Sequence, residues 1–154
     1  AGVKKEVLAF MIGKRVLELT PPLLARALCP SISELKALVS SAARIATHQT
    51  EPGDVPLEER LSREDVARIG AAVHESMAKG GKLDVLRWSK LADLSSSYGG
   101  LLLAGDLEAA RAALALEPQS PGDFSPREKM RELVAWFLGD RAAQLRRDLG
   151  VALG

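Results

Sequence analysis

Apolar residues are packed most densely into the first helical stretch. From Val3 to Leu19, the positions Val3, Val7, Leu8, Phe10, Met11, Ile12, Val16 and Leu17 cover most of a helical circumference, which predicts a central helix packed on several sides. Its polar remainder is narrow: on a 100° wheel Lys4, Lys14, Arg15 and Glu18 fall within roughly one quarter of the turn. Thr20-Pro21-Pro22 stops this helix and a short one follows through Leu28. Ser31 and Glu34 have capping-box spacing ahead of Leu35, Leu38, Val39, Ala42 and Ala46, so a third helix ends near His48. Residues 49–61, with Pro52, Gly53, Asp54 and Pro56, lack periodicity and predict a surface loop.

Ser62 with Asp65 starts the next helix, whose Val66, Ile69, Val73 and Met77 form a seam ending at Gly80-Gly81. The pattern resumes from Leu83 to Ala104, where Leu83, Leu86, Leu91, Leu94, Tyr98, Leu101 and Leu102 line one broad face. Gly105-Asp106 ends that helix and caps another through Leu116. Residues 118–124 read as a second loop, and Ser125-Pro126-x-Glu128 joins an N-cap, a first-turn proline and a capping-box acid in one tetrad. Met130, Leu133, Val134, Phe137 and Leu138 then bury one face, and a segment around Leu145 and Leu149 closes the chain.

Composition sharpens this picture. Apolar residues are 47% of the 154 and aromatics only 4%; good helix formers dominate and β-branched runs are missing. The expectation is an all-α fold: a single compact domain over 1–154, about seven helices around the central apolar one. The 21 basic and 20 acidic side chains leave a net charge of +1, too little to attract nucleic acid, anionic lipid or acidic substrates by its overall field. No apolar run reaches the ~20 residues of a membrane span, and the lone Cys29 suits a reducing compartment, so a cytoplasmic protein is expected. The chain starts Ala1-Gly2 and runs straight into a helical pattern, and reads as a piece of a longer protein.

Two segments carry a family resemblance. Phe10-Met11-Ile12-Gly13-Lys14-Arg15-Val16-Leu17-Glu18 resembles the F-x-I-G-H-E-L-G-H helix of gluzincin metallopeptidases of the CAAX-prenyl-protease and heat-shock membrane protease type. Leu91-Ala92-Asp93-Leu94-Ser95-Ser96-Ser97-Tyr98-Gly99-Gly100-Leu101-Leu102 is similar to that family's E-L-S-A-D-R-A-G-L-L element, which holds the third zinc ligand. In such enzymes two imidazoles at i and i+4 bind zinc, with the intervening Glu as general base. The resemblance puts Lys14 at the first zinc His, Arg15 at the catalytic Glu, Glu18 at the second His and Asp93 at the third-ligand Glu. Cations at the first two places oppose a dication, and Ser97 and Tyr98 replace the supporting acidic-basic pair. The resemblance therefore implies a catalytically dead domain without metal or other cofactor. Lys14 then either pairs internally with Glu18 and Asp93 or forms an ordinary exposed helix pair with Glu18.

Other chemistry is thin. His74-Glu75 opens an H-E-x-x-A run with Ala78 where a ligand would stand, and the second histidine is His48. Cys29, between Leu28 and Pro30, reads as a small buried residue. Ser95-Ser96-Ser97 is no nucleophile elbow, and Gly99-Gly100 reads as close helix packing rather than a phosphate loop. The densest basic cluster is Arg141, Arg146 and Arg147 with Lys129 and Arg131 upstream; Asp140 and Asp148 sit among these, so a solvated face is expected. Trp136 lies off the apolar stripe of its helix and either packs on the last segment or is partly exposed; with Arg141, Arg146 and Arg147 it makes a candidate interaction surface.

Proteins resembling this combination are often larger bacterial chains in which such a domain is joined to helical repeats. The resemblance thus implies a scaffold or adaptor that binds another protein or the rest of its parent chain; no small-molecule substrate, nucleic acid or membrane span is expected. A fragment of a working zinc metallopeptidase and an all-α regulatory or nucleic-acid-binding domain are the alternatives.

Overall fold

The computed structural model describes residues 2–29, 31–47, 59–80, 84–118 and 123–151. Among them are eight α-helices and no strand: α1 (Lys5–Glu18), α2 (Pro21–Leu28), α3 (Ile32–Thr47), α4 (Arg63–Ala78), α5 (Val85–Ala104), α6 (Leu107–Leu116), α7 (Pro126–Phe137) and α8 (Asp140–Asp148). The all-α expectation holds, with one helix more than the count of about seven. The extra one is the closing segment, which forms a helix of its own after Gly139. His48, Gly81, Leu83 and most of the 49–61 and 118–124 loops lie outside the described residues.

The ends of the helices follow their local chemistry. Ser31 and Glu34 form the reciprocal box before α3, the Glu34 N–H reaching Ser31 Oγ at 3.1 Å and the Ser31 N–H reaching Glu34 Oε2 at 3.2 Å. Ser62 Oγ accepts from the Asp65 N–H at 3.1 Å, and Asp106 Oδ1 accepts from the Glu108 N–H at 2.8 Å. Ser125, Pro126 and Glu128 make the full capping box of α7. Asp84, not singled out from the sequence, accepts from the Arg87 N–H at 2.9 Å at the start of α5. Gly80 and Gly105 follow α4 and α5 with φ of 69° and 64°, the left-handed conformation that favours glycine after a helix.

Contacts gather the chain into two compact units, Ala1–Leu28 with Ser89–Gly154, and Cys29–Trp88. In the second unit α3 packs against α4. Leu35 and Ile45 are buried on α3, while α4 has no buried residue and presents its Met77 to solvent.

The first unit holds the main apolar core: Val7 and Phe10 of α1, Leu101 of α5, Ala109, Ala110, Ala113 and Leu114 of α6, and Leu133 of α7. Phe10, Leu101, Leu114 and Leu133 are fully enclosed, each contributing roughly 2–3 kcal/mol of transfer free energy. Small residues let α1 and α5 approach unusually closely. A Cβ on Gly13 would stand 2.7 Å from the Gly99 carbonyl oxygen, and one on Gly100 would stand 2.6 Å from the Phe10 carbonyl oxygen. Close helix packing is therefore the role of Gly99-Gly100.

α1 supplies the core on one side only. Leu8, Met11, Ile12, Val16 and Leu19 are exposed, whereas Lys14 and Glu18 of the supposed polar strip are buried. The strip thus splits: Lys4 and Arg15 face solvent, and Lys14 and Glu18 face inward.

Candidate functional site

Four charged side chains meet inside the first unit. Lys14 sits one residue past the Gly13 contact, so its stem enters the unit and its ammonium emerges between α5 and the end of α6. Nζ of Lys14 lies 2.8 Å from Asp93 Oδ1 and 2.7 Å from Glu117 Oε1. From α7, Nζ of Lys129 lies 2.6 Å from Asp93 Oδ2 and 3.1 Å from Glu117 Oε2. The contact to Oδ2 is an ion pair off the line that a hydrogen bond needs. Each ammonium bridges both carboxylates and each carboxylate bridges both ammonium groups, a closed and electrically neutral ring. The lysine side chains retain only 7% and 3% of their accessibility and Asp93 11%, while Glu117 keeps 22% and forms the solvent edge.

Burial acts on these groups in opposition to their partners. For Asp93 burial pushes the carboxyl pKa up, but the charge of Lys14 and the ammonium of Lys129 outweigh it and hold the group below its ordinary range. For Lys129 burial pushes down, and Asp93 and Glu117 together raise it above the usual lysine value. Asp93 and Lys129 are therefore both charged at neutral pH.

Serines support the aspartate from its own helix. Ser96 Oγ and Ser97 Oγ both donate to the Asp93 carbonyl oxygen, at 2.8 and 2.9 Å. Ser96 Oγ also lies 3.4 Å from Glu18 Oε1, and Glu18 Oε2 takes Nη1 of Arg15. One turn before Asp93, Ser89 is fully buried and its hydroxyl has no hydrogen-bond partner.

The four residues at the zincin-like positions therefore fall into two neighbouring groups. Lys14 and Asp93 pair directly, as the internal reading expects. Glu18 pairs with Arg15 rather than with Lys14, because its carboxylate turns toward Ser96 while Lys14 reaches across to α5 and Glu117. Two members of the ring, Glu117 and Lys129, were not foreseen. Lys129 carried a signal: it stands four residues before the core Leu133, on the inward face of α7. Among the described residues no three His, Cys, Asp or Glu side chains group as a metal site requires.

No known family model matches this chain, nor does any curated protein or solved structure.

Trp136, Arg141, Arg146 and Arg147 do not form one exposed surface. Arg146 is buried: its Nη1 donates to the Leu102 carbonyl at 2.9 Å and its Nη2 to the Val151 carbonyl at 2.7 Å, closing the C-terminal end of α5. Its guanidinium also fills the space beside Gly105, where a Cβ would come within 2.5 Å of Nη2. Trp136 is half-buried, so partly exposed, and stacks on Tyr98 of α5, centroids 4.9 Å apart at 25°. Beside it, burial, then the charge of Glu132, raises the Tyr98 phenol above its ordinary pKa. Arg141 and Arg147 are exposed, as is Arg131, so the basic cluster is split between structural and solvated members. Among the described residues no helix is long and apolar enough to cross a membrane.

Proposed function

We propose that this chain is a non-catalytic, metallopeptidase-like domain that binds another protein or the rest of its own parent chain, as a scaffold or adaptor in the cytoplasm of a bacterium. The observation that carries the reading is the ring. At Lys14 and Asp93, where the resemblance would have metal ligands, the side chains are saturated by one another and by Glu117 and Lys129. A general base needs a free lone pair aimed at substrate, and a zinc ligand needs one aimed at metal; buried ion-paired lysines supply neither. The ring instead ties α1, α5, α7 and the residue ending α6 into one body, which suits a domain that presents a surface. In this reading the domain uses no cofactor, small-molecule substrate or nucleic acid.

The test is metal content and activity together. The chain is equilibrated with excess zinc, desalted, analysed by mass spectrometry for metal and assayed against a quenched peptide library. Substoichiometric zinc with no cleavage is expected; one zinc per chain with cleavage abolished by chelator would overturn the reading.

A further inference from the structure

The most enclosed hydrogen bond of the ring joins an amine to a carboxyl, the two halves of an amide. Nζ of Lys14 donates to Oδ1 of Asp93 at 2.8 Å, so the nitrogen already stands near the roughly 3–3.5 Å from the carboxyl carbon at which attack begins. The backbones behind the pair are fixed. Gly13, next to Lys14, meets the Gly99 carbonyl without room for a Cβ, which keeps α1 and α5 in register. The other two members of the ring touch the atoms that would react. Oε1 of Glu117 lies 2.7 Å from Nζ of Lys14, and Nζ of Lys129 lies 2.6 Å from Oδ2 of Asp93.

We infer that Lys14 and Asp93 condense to an intramolecular isopeptide bond, an amide from Nζ on α1 to Cγ on α5, with Glu117 carrying the proton and Lys129 holding the carboxyl oxygen. The ammonium passes one proton to Oδ1 along the hydrogen bond between them, and the freed electron pair attacks Cγ. Negative charge gathers on Oδ2, against the Lys129 ammonium. Glu117 takes a second proton from Nζ and returns it to the Oδ1 hydroxyl. The Cγ–Oδ1 bond then breaks and water leaves past Glu117, the solvent edge of the ring. One ammonium and one carboxylate become one amide and one water, so no oxidant, cofactor or activating group enters.

A lone pair that no outside substrate can reach is in contact here with a carboxyl of its own chain. Groups held in such contact react as if at an effective concentration of about 10⁵–10⁸ M, which favours condensation. The product exchanges two buried charges for a neutral amide and leaves Lys129 paired with Glu117 at 3.1 Å. Lys14 is the nucleophile rather than Lys129, whose contact with Asp93 lies off the hydrogen-bond line. Against its burial, Asp93 and Glu117 also raise the Lys129 pKa and keep its proton in place. Asp93 is itself held ionised despite burial, so the neutral pair is scarce and the reaction slow; the freshly folded chain carries the ionic ring.

The test is the intact mass of the whole chain, taken on fresh protein and through a week at physiological temperature and pH, with tandem mass spectrometry of proteolytic fragments. Wild type should become lighter by one water, and a branched fragment should join Lys14 to Asp93. Lys14→Arg keeps a cation but has no amine to form the bond, and should keep its full mass, as should wild type in concentrated urea. Glu117→Gln, shown to be folded by circular dichroism, should lose water at least tenfold more slowly. Full mass retained by folded wild type overturns the inference. So does a water lost from a linear fragment, the mark of a backbone succinimide at Asp93, or a branch at Lys129 in place of Lys14. An unchanged rate in folded Glu117→Gln would overturn its part as proton carrier.

Discussion

Replacing Lys14 by Met removes one ammonium from the ring while keeping an unbranched apolar stem of similar length in the same channel. Within the ring, Asp93 and Glu117 then keep only the ammonium of Lys129 between them. At 2.8 Å and an effective dielectric of about 20, each lost contact is gross Coulomb energy of about 6 kcal/mol, most of which only offsets the desolvation of the charges. The net figure comes from breaking a buried pair, 3–5 kcal/mol, and Glu117 moderates it because its 22% exposure lets it turn to water. The expected loss is about 3 kcal/mol, or roughly 6–12 °C in melting temperature for a chain of this size. Adding Glu117→Gln restores one cation to one anion and should recover about half of the loss. Urea denaturation followed at 222 nm measures both variants at neutral pH. A Lys14→Met chain within about 0.5 kcal/mol of wild type would refute the buried ring, and so would strict additivity of the two substitutions.

Acid and base should each unmake the ring. The Asp93 pKa is depressed, so its contribution is complete above its unfolded value of about 4 and is lost as pH falls through the folded one; that of Lys129 is raised, so its contribution is complete below about 10.4 and is lost as pH rises beyond that. Asp93→Asn should accordingly flatten the acid limb of a stability-against-pH profile, and a limb parallel to wild type would count against the assignment. Gly100→Ala should destabilise by about 1–3 kcal/mol, because the new methyl meets the Phe10 carbonyl, whereas Gly70→Ala in α4, where nothing lies within 4 Å, should stabilise by up to about 1 kcal/mol. Thermal melts that rank the two the other way would contradict the glycine seam. Arg146→Ala should cost about 2–3 kcal/mol by orphaning the Leu102 and Val151 carbonyls, against less than about 0.5 for the exposed Arg147→Ala; chemical denaturation of both checks the contrast. Ser89→Ala, which deletes a buried hydroxyl without a partner, should raise the free energy of unfolding in urea by up to about 1 kcal/mol, and a loss would mean that the hydroxyl is satisfied.

Helix starts were the most legible feature of the sequence, since a capping box is a local bargain between residues three apart. Ser125-Pro126-x-Glu128 needed no tertiary information. The glycine contact was legible too, as Gly99-Gly100 has no phosphate-loop context to compete with packing. The ring was legible only by half. Lys14 and Asp93 are 79 residues apart and were paired through a resemblance, whereas Glu117 follows a helix end and Lys129 looked like one more base in a basic stretch. Arg146 was misread for the same reason: a guanidinium that closes the end of a helix 44 residues earlier looks, in one dimension, like any surface arginine. Helical periodicity also misjudged α1. It weighs residues by polarity, and could not register that a lysine and a glutamate turn inward once partners from other helices await them.

The glycine contact has a dynamic consequence. Where two helices meet backbone to backbone, no side-chain rotamers lie between them to absorb a twist, so α1 cannot roll about its axis without driving Gly13 into the Gly99 carbonyl. Its solvent side is therefore held at a fixed angle before anything arrives. Association there should proceed as the meeting of a finished shape with its complement, without a folding step on this side. The entropic cost of ordering would then fall on whatever binds there.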